Sequence, residues 1–219
     1  SGATTVMVVT FVNAGLISLA QSAGVIFGAN IGTTITAWIV SIFGFNFKIS
    51  AFAVPVVGLG YFLSIFKKRK YQNIGEAIMG FGLLFLGLSG LSSVFTPDQL
   101  GWMLNIKGTG ASAIILGFLI GIVVTALLHS SSAFSAIVIT MAYNGLISWE
   151  LAAAMTLGSN VGSTVDSIMA SMGTSANGRR AALIHVMFNL FGTIVVLCFL
   201  KPFLDLVMFI TPGQENSNI

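Results

Sequence analysis

Apolar residues follow one another here in runs too long for the core of a water-soluble domain, and that continuity limits what the chain can fold into. The runs cover Ala3–Val12, Leu16–Phe27, Ile35–Phe45, Ser50–Phe66, Gly75–Phe95, Ala111–His129, Ala133–Tyr143, Ile147–Leu157 and Ala181–Leu200. Only 7% of the 219 residues are charged, against about 25% in an ordinary soluble domain. So few charges cannot coat a globule with water-compatible surface, and the mean hydropathy of +0.99 agrees. Lipid is the solvent that fits. In lipid every backbone polar group must be paired internally, which leaves helices or a closed barrel. The runs lack the in/out alternation of barrel strands, so the expected class is an all-α polytopic membrane protein.

The charges that remain are clustered. Lys67-Lys68-Arg69-Lys70 and Arg179-Arg180 sit between apolar runs and read as juxtamembrane charge. No basic surface interleaved with aromatics is present, so nucleic acid is not expected as a partner. Cys198 is the single cysteine, which excludes an intrachain disulfide, and its apolar surroundings predict a buried, inert thiol. The chain opens in mid-pattern at Ser1-Gly2-Ala3-Thr4-Thr5, so an upstream segment is expected. The tail from Pro212 to Ile219 is polar.

An internal repeat constrains the chain further. Shifted by 130 positions, Ser1, Ala3, Val8, Thr10, Gly15, Leu16, Ile17 and Ser18 meet Ser131, Ala133, Val138, Thr140, Gly145, Leu146, Ile147 and Ser148 without a gap. Ala23, Gly28, Asn30, Gly32 and Thr34 then meet Ala153, Gly158, Asn160, Gly162 and Thr164. Apolar sequences resemble one another by chance; matched polar and glycine positions do not.

The repeat sets an expected topology. If each Ser-rich segment is the tip of a re-entrant hairpin, three spans separate the tips: Leu16–Phe45, Ser50–Phe66 and Gly75–Phe95. An odd number inverts the second half relative to the first; if Ala111–His129 is instead a complete span, this parity fails. With Lys67–Lys70 cytoplasmic by the positive-inside rule, Arg179 and Arg180 fall on the same side, while Lys48, Lys107 and Lys201 fall outside. The expected division is 1–66 as a first repeat, 67–110 as linking loop, helix and external loop, 111–210 as a second repeat, and 211–219 as a tail.

Two motifs carry the chemistry. Gly28–Thr34 and Gly158–Thr164 both follow G-x-N-x-G-[ST]-T inside apolar runs. Such a segment is expected to unwind a helix in mid-membrane, where carbonyls at one half-helix end hold a cation and N–H groups at the next hold an anion. The alternative is close helix packing on small residues. The second motif is His129-Ser130-Ser131-Ser132, with Ser1-Gly2-Ala3-Thr4-Thr5 as its repeat partner. Hydroxyls and N–H groups suit a tetrahedral oxyanion that must be released again, and neither motif holds Lys or Arg.

A Ser-rich tip paired with G-A-N-I-G-T-T, twice in one chain, resembles the type II sodium–phosphate cotransporter family over residues 1–200. The resemblance implies sodium-coupled phosphate uptake in a bacterial inner membrane, with sodium as co-substrate, no other cofactor or metal, and no enzymatic activity. It places phosphate at Ser1, Thr4, Thr5, Ser130, Ser131 and Ser132. Sodium binding then falls to the loop residues Asn30, Thr33, Thr34, Asn160, Ser163 and Thr164, to which the residues' own chemistry adds Asp166 and His129 in binding or coupling, His129 having the alternative of a Gln substitute that donates one hydrogen bond. The family carries Gln-Ser-Ser-Ser at each tip; here His129 stands in the place of Gln and Gly2 in that of a Ser. A homodimer is carried as an assembly.

Asp166 follows the second motif directly. A carboxylate inside a membrane is costly and marks function, and its expected role is on the cation rather than on anion selectivity. His185, near Asn189, is expected to be a hydrogen-bonded structural residue. Two other readings stay open: a transporter of sulfate or a dicarboxylate, and an intramembrane serine protease built on Gly87-Leu88-Ser89-Gly90 with a histidine.

Overall fold

A computed structural model describes residues 1–46, 50–94 and 110–211. All the regular structure among them is helical: α1 (Gly2–Asn13), α2 (Leu19–Asn46), α3 (Ser50–Ser64), α4 (Arg69–Val94), α5 (Ala111–Leu128), α6 (Ser131–Tyr143), α7 (Trp149–Gly162), α8 (Thr164–Ser171), α9 (Ala176–Cys198) and α10 (Leu200–Ile210). The stretch Thr96–Thr109, Lys48, and the tail from Pro212 lie outside the described residues.

Among the described residues three helices are long and apolar enough to cross a membrane: α2 over Leu19–Ile42, α5, and α9. Large apolar side chains such as Ile31, Trp38, Leu127 and Phe191 are exposed on them, the reverse of a water-soluble surface and the normal state of a lipid-facing one. Cys198 is also exposed, against the expectation of a buried thiol. It ends α9 on the outer face, where an apolar run touches lipid as readily as core. α10 was not expected as a separate helix; Leu200 and Leu204 anchor it.

The repeat in sequence is a repeat in local structure. α1 ends with Leu16 N–H donating to Phe11 O and Gly15 N–H to Val12 O; α6 ends with Leu146 N–H donating to Met141 O and Gly145 N–H to Ala142 O. Both are Schellman caps, and they need a left-handed residue, which Gly15 (φ 73°) and Gly145 (φ 69°) supply. Ser18 then caps α2 by accepting from Gln21 N–H, and Ser148 caps α7 by accepting from Leu151 N–H. The tertiary contacts follow the repeat only in part, because α1 packs on α9 while α6 packs on α4 rather than on α3, the counterpart of α9. α1 packs on α8 and α9, while α6 packs on α2 and α4. One core joins Val8, Val9 and Val12 of α1 to Ile26, Ala181 and Ala182; another joins Phe134, Val138 and Met141 of α6 to Leu151 and Met155.

The glycine motifs depart from expectation. Gly28–Thr34 does not unwind: α2 is continuous through it. Asn30, Thr33 and Thr34 bond back to the carbonyls of Ile26, Ala29 and Ile31. A helical glycine costs only about 1 kcal/mol, less than freeing backbone groups among apolar neighbours. In the second motif the helix breaks at one residue, Ser163, which keeps right-handed helical angles (φ −63°, ψ −18°). The glycines there serve packing. A Cβ on Gly158 would strike Phe118 O, and one on Gly162 would lie 2.5 Å from Ile122 O. Gly117 and Gly121 face Leu151 and Met155 from the other side, so α5 and α7 run closely side by side. The small-residue packing reading therefore holds for this motif. The repeat-equivalent Gly28 and Gly32 have nothing within 4 Å.

Candidate functional site

The turn between α5 and α6 is built by two residues. His129 adopts the left-handed conformation (φ 52°, ψ 26°) that ends α5, a region His tolerates better than most side chains. Ser130 is extended and caps α6, its Oγ accepting from Ala133 N–H at 3.2 Å. The left-handed turn swings the imidazole toward α8, where His129 Nδ1 lies 2.6 Å from Asp166 Oδ1. The ring N–H donates and the carboxylate accepts. Asp166 occupies the first turn of α8, where the helix dipole favours a negative group. No other ion pair occurs among the described residues.

The α1 tip completes the site. A Cβ on Gly2 would lie 2.5 Å from Asp166 Oδ2, so the carboxylate rests against the bare backbone of the tip. Gly2, Ala3, Val6, His129, Asp166, Met169 and Ala170 line a cavity of about 460 Å³. It is open and its lining is mostly apolar, with His129 and Asp166 as its polar side chains and the start of α1 at its edge. Two residues 37 positions apart in sequence, His129 and Asp166, thus meet the start of the chain at one place.

The other expected residues stand as follows. Thr5 is fully buried and its hydroxyl donates to Ser1 O at 2.9 Å. Ser1, Thr4, Ser131 and Ser132 are half-buried in the first turns of α1 and α6 or beside them. Ser163 and Thr164 are buried and donate to Asn160 O and Val161 O. Their oxygens keep acceptor capacity toward a cation. Asn160 is exposed, and Asn30 and Thr33 are half-buried on α2. None of these lines the cavity beside Gly2.

A polar layer beneath the site was not anticipated in full. Ser167 donates to Thr164 O at 2.7 Å, so its oxygen accepts from His185 Nδ1–H at 3.0 Å. His185 Nε2, Thr125 Oγ1 and Ser159 Oγ are buried and lack a partner. His185 is buried and hydrogen-bonded, and Asn189 Nδ2 donates to its carbonyl. The visible signal for Thr125 and Ser159 was the four-residue spacing Gly117, Gly121, Thr125 opposite Gly158 and Gly162. Ser89 makes no hydrogen bond to either histidine, whose Nδ1 atoms are held by Asp166 and Ser167.

The chain is 30% identical over 224 residues to the uncharacterized protein YqeW of Bacillus subtilis, covering 99% of this chain and 69% of YqeW. It is 29% identical over 208 residues to YjbB of Salmonella typhimurium, named provisionally for inorganic phosphate export, covering 94% of this chain and 38% of that protein. It is 38% identical over 95 residues to the rat sodium-dependent phosphate transport protein 2C, covering 42% of this chain and 16% of that one. The chain thus spans little more than a third of YjbB. No solved structure matches. The Na+/Pi-cotransporter family model matches residues 1–93 and 103–206, and the chain belongs to that family.

Proposed function

We propose that this chain is the transport core of a sodium-coupled phosphate symporter that takes up inorganic phosphate by alternating access. The observation that carries the reading is the meeting of the α1 tip, the α5–α6 turn and α8 around one cavity, in a chain of this family. Phosphate would sit between the tips at the edge of this cavity, held by Ser1, Thr4, Thr5, Ser130, Ser131 and Ser132, which stand beside the lining residues Gly2 and His129 rather than in the lining, and by backbone N–H groups. Helix N-termini supply only about half a charge each, and no Lys or Arg lines the cavity. An anion taken to mid-membrane needs more compensation than that. Sodium supplies it, on the hard oxygens of Asn30, Thr33, Thr34, Asn160, Ser163 and Thr164, with His129 and Asp166 in coupling.

The matched turns that end α1 and α6 support two related halves, which we take to be inverted about an axis in the membrane plane, each tip re-entrant. The halves are 1–66 and 111–210, with 67–110 between them and 211–219 as a tail. The setting is a bacterial inner membrane, with Lys67–Lys70 and Arg179–Arg180 on the cytoplasmic face and a homodimer as the assembly. Cysteine labelling that finds these clusters on opposite faces refutes the inverted arrangement.

The test of function is uptake of labelled phosphate into proteoliposomes under an inward sodium gradient, a potassium gradient, and none. Uptake only with sodium is expected. Equal movement in sodium, potassium and choline overturns the coupling. The name of YjbB favours export as a second reading, and loading the vesicles with phosphate measures that direction in the same assay.

A further inference from the structure

The two oxygens of the Asp166 carboxylate have different surroundings. Oδ1 is taken by His129 at 2.6 Å. Oδ2 is turned to the α1 tip, so close to Gly2 that a Cβ there would come within 2.5 Å of it. Asp166, His129 and Gly2 all line the same cavity. A carboxylate oxygen accepts hydrogen bonds and cannot donate one. Toward an anion in the cavity, Oδ2 is therefore attractive only if the anion brings its own proton.

We propose that Asp166 Oδ2 selects the transported oxyanion by requiring a hydroxyl on it. Phosphate and arsenate keep at least one proton at neutral pH and donate it to Oδ2 in a charge-assisted hydrogen bond. Sulfate keeps none, and its oxygens meet the carboxylate with two acceptors face to face. The discrimination comes from a repulsive element aimed at the competitor. His129 is the positioning residue: by holding Oδ1 it fixes which way Oδ2 points. Gly2 leaves the room. The end of an aspartate side chain normally yields to a new neighbour, but here it is tethered by the imidazole. The expected role of Asp166 on the cation alone thus widens to the anion. The inference rests on the phosphate reading of the cavity and names the residue that rejects the nearest isostere.

The experiment is competition against labelled phosphate uptake in proteoliposomes at fixed sodium, with arsenate and sulfate as competitors. Calorimetric titration of the purified protein with phosphate and sulfate runs in parallel. In the unmodified protein arsenate competes and sulfate does not. Asp166→Asn places an N–H donor beside a carbonyl acceptor, so phosphate is still held and sulfate is admitted. The ratio of sulfate to phosphate affinity should rise on the order of 100-fold, below the largest known hydroxyl discrimination because the cavity is open. Gly2→Ser, which displaces Oδ2 with the carboxylate intact, should move the ratio the same way. Unchanged sulfate exclusion in both variants overturns the proposal. So does loss of both anions together in calorimetry, which would make Asp166 a structural residue. Absence of phosphate uptake and binding in the unmodified protein overturns the proposed function instead.

Discussion

Gly28 and Gly158 are the same residue in the same repeated motif, yet alanine should act on them with opposite sign. At Gly158 a Cβ would strike Phe118 O, and Gly121 Cα also lies 3.1 Å from the place it would occupy. Both are backbone atoms, which cannot rotate away, so α5 and α7 must separate. Forcing one methyl into a packed contact costs about 1–3 kcal/mol. The helical preference of alanine over glycine returns about 1 kcal/mol. The net expectation is a loss of about 0–2 kcal/mol, with the upper end favoured because the obstruction is backbone. At Gly28 nothing lies within 4 Å, so only the helical gain remains and Gly28→Ala should stabilise by about 0.5–1 kcal/mol. The assay is thermal unfolding of each purified variant in the same detergent. Taking about 2–4 °C per kcal/mol for a chain of this size, Gly158→Ala should melt several degrees below Gly28→Ala. Equal shifts would refute the reasoning, because they would mean that α5 does not lie on the Gly158 face.

Ser131→Ala should weaken phosphate roughly 10–100-fold, the loss of one hydrogen bond to a charged group; an unchanged uptake curve in a well-folded protein counts against the tip as the anion site. Raising sodium should lower the dissociation constant for phosphate, and phosphate should lower that for sodium by the same factor, since linkage is reciprocal; calorimetry in sodium and in potassium measures both. His185→Ala should cost about 2–4 kcal/mol, because it empties a fully buried site and strips Ser167 of a partner; unfolding that matches the unmodified protein would contradict the buried contact.

The helices and their approximate bounds were legible in the sequence because lipid leaves the backbone few choices, and 7% charge forces lipid as the solvent. The match of Gly15 with Gly145 was legible in the repeat, but that both end a helix in a left-handed cap is a finding of the structure. The family was readable from the same repeat, and the match over residues 1–93 and 103–206 agrees. What the glycines in G-x-N-x-G do was not readable. Gly28 and Gly158 are identical locally, and only the presence of α5 against one of them separates packing from open surface. The same holds for the break at Ser163 and the continuity of α2, because the two motifs match locally and differ in the helices packed around them. The site was half legible. His129 and Asp166 each stood out as a polar residue in an apolar run, but their 2.6 Å contact joins helices whose relative placement no local pattern encodes. Gly2 looked like a missing serine in the sequence, and only the fold shows the carboxylate that fills its place. Local periodicity and solvent chemistry decide which residues are helical; which side chains meet is decided by how those helices pack, and that is a property of the whole chain.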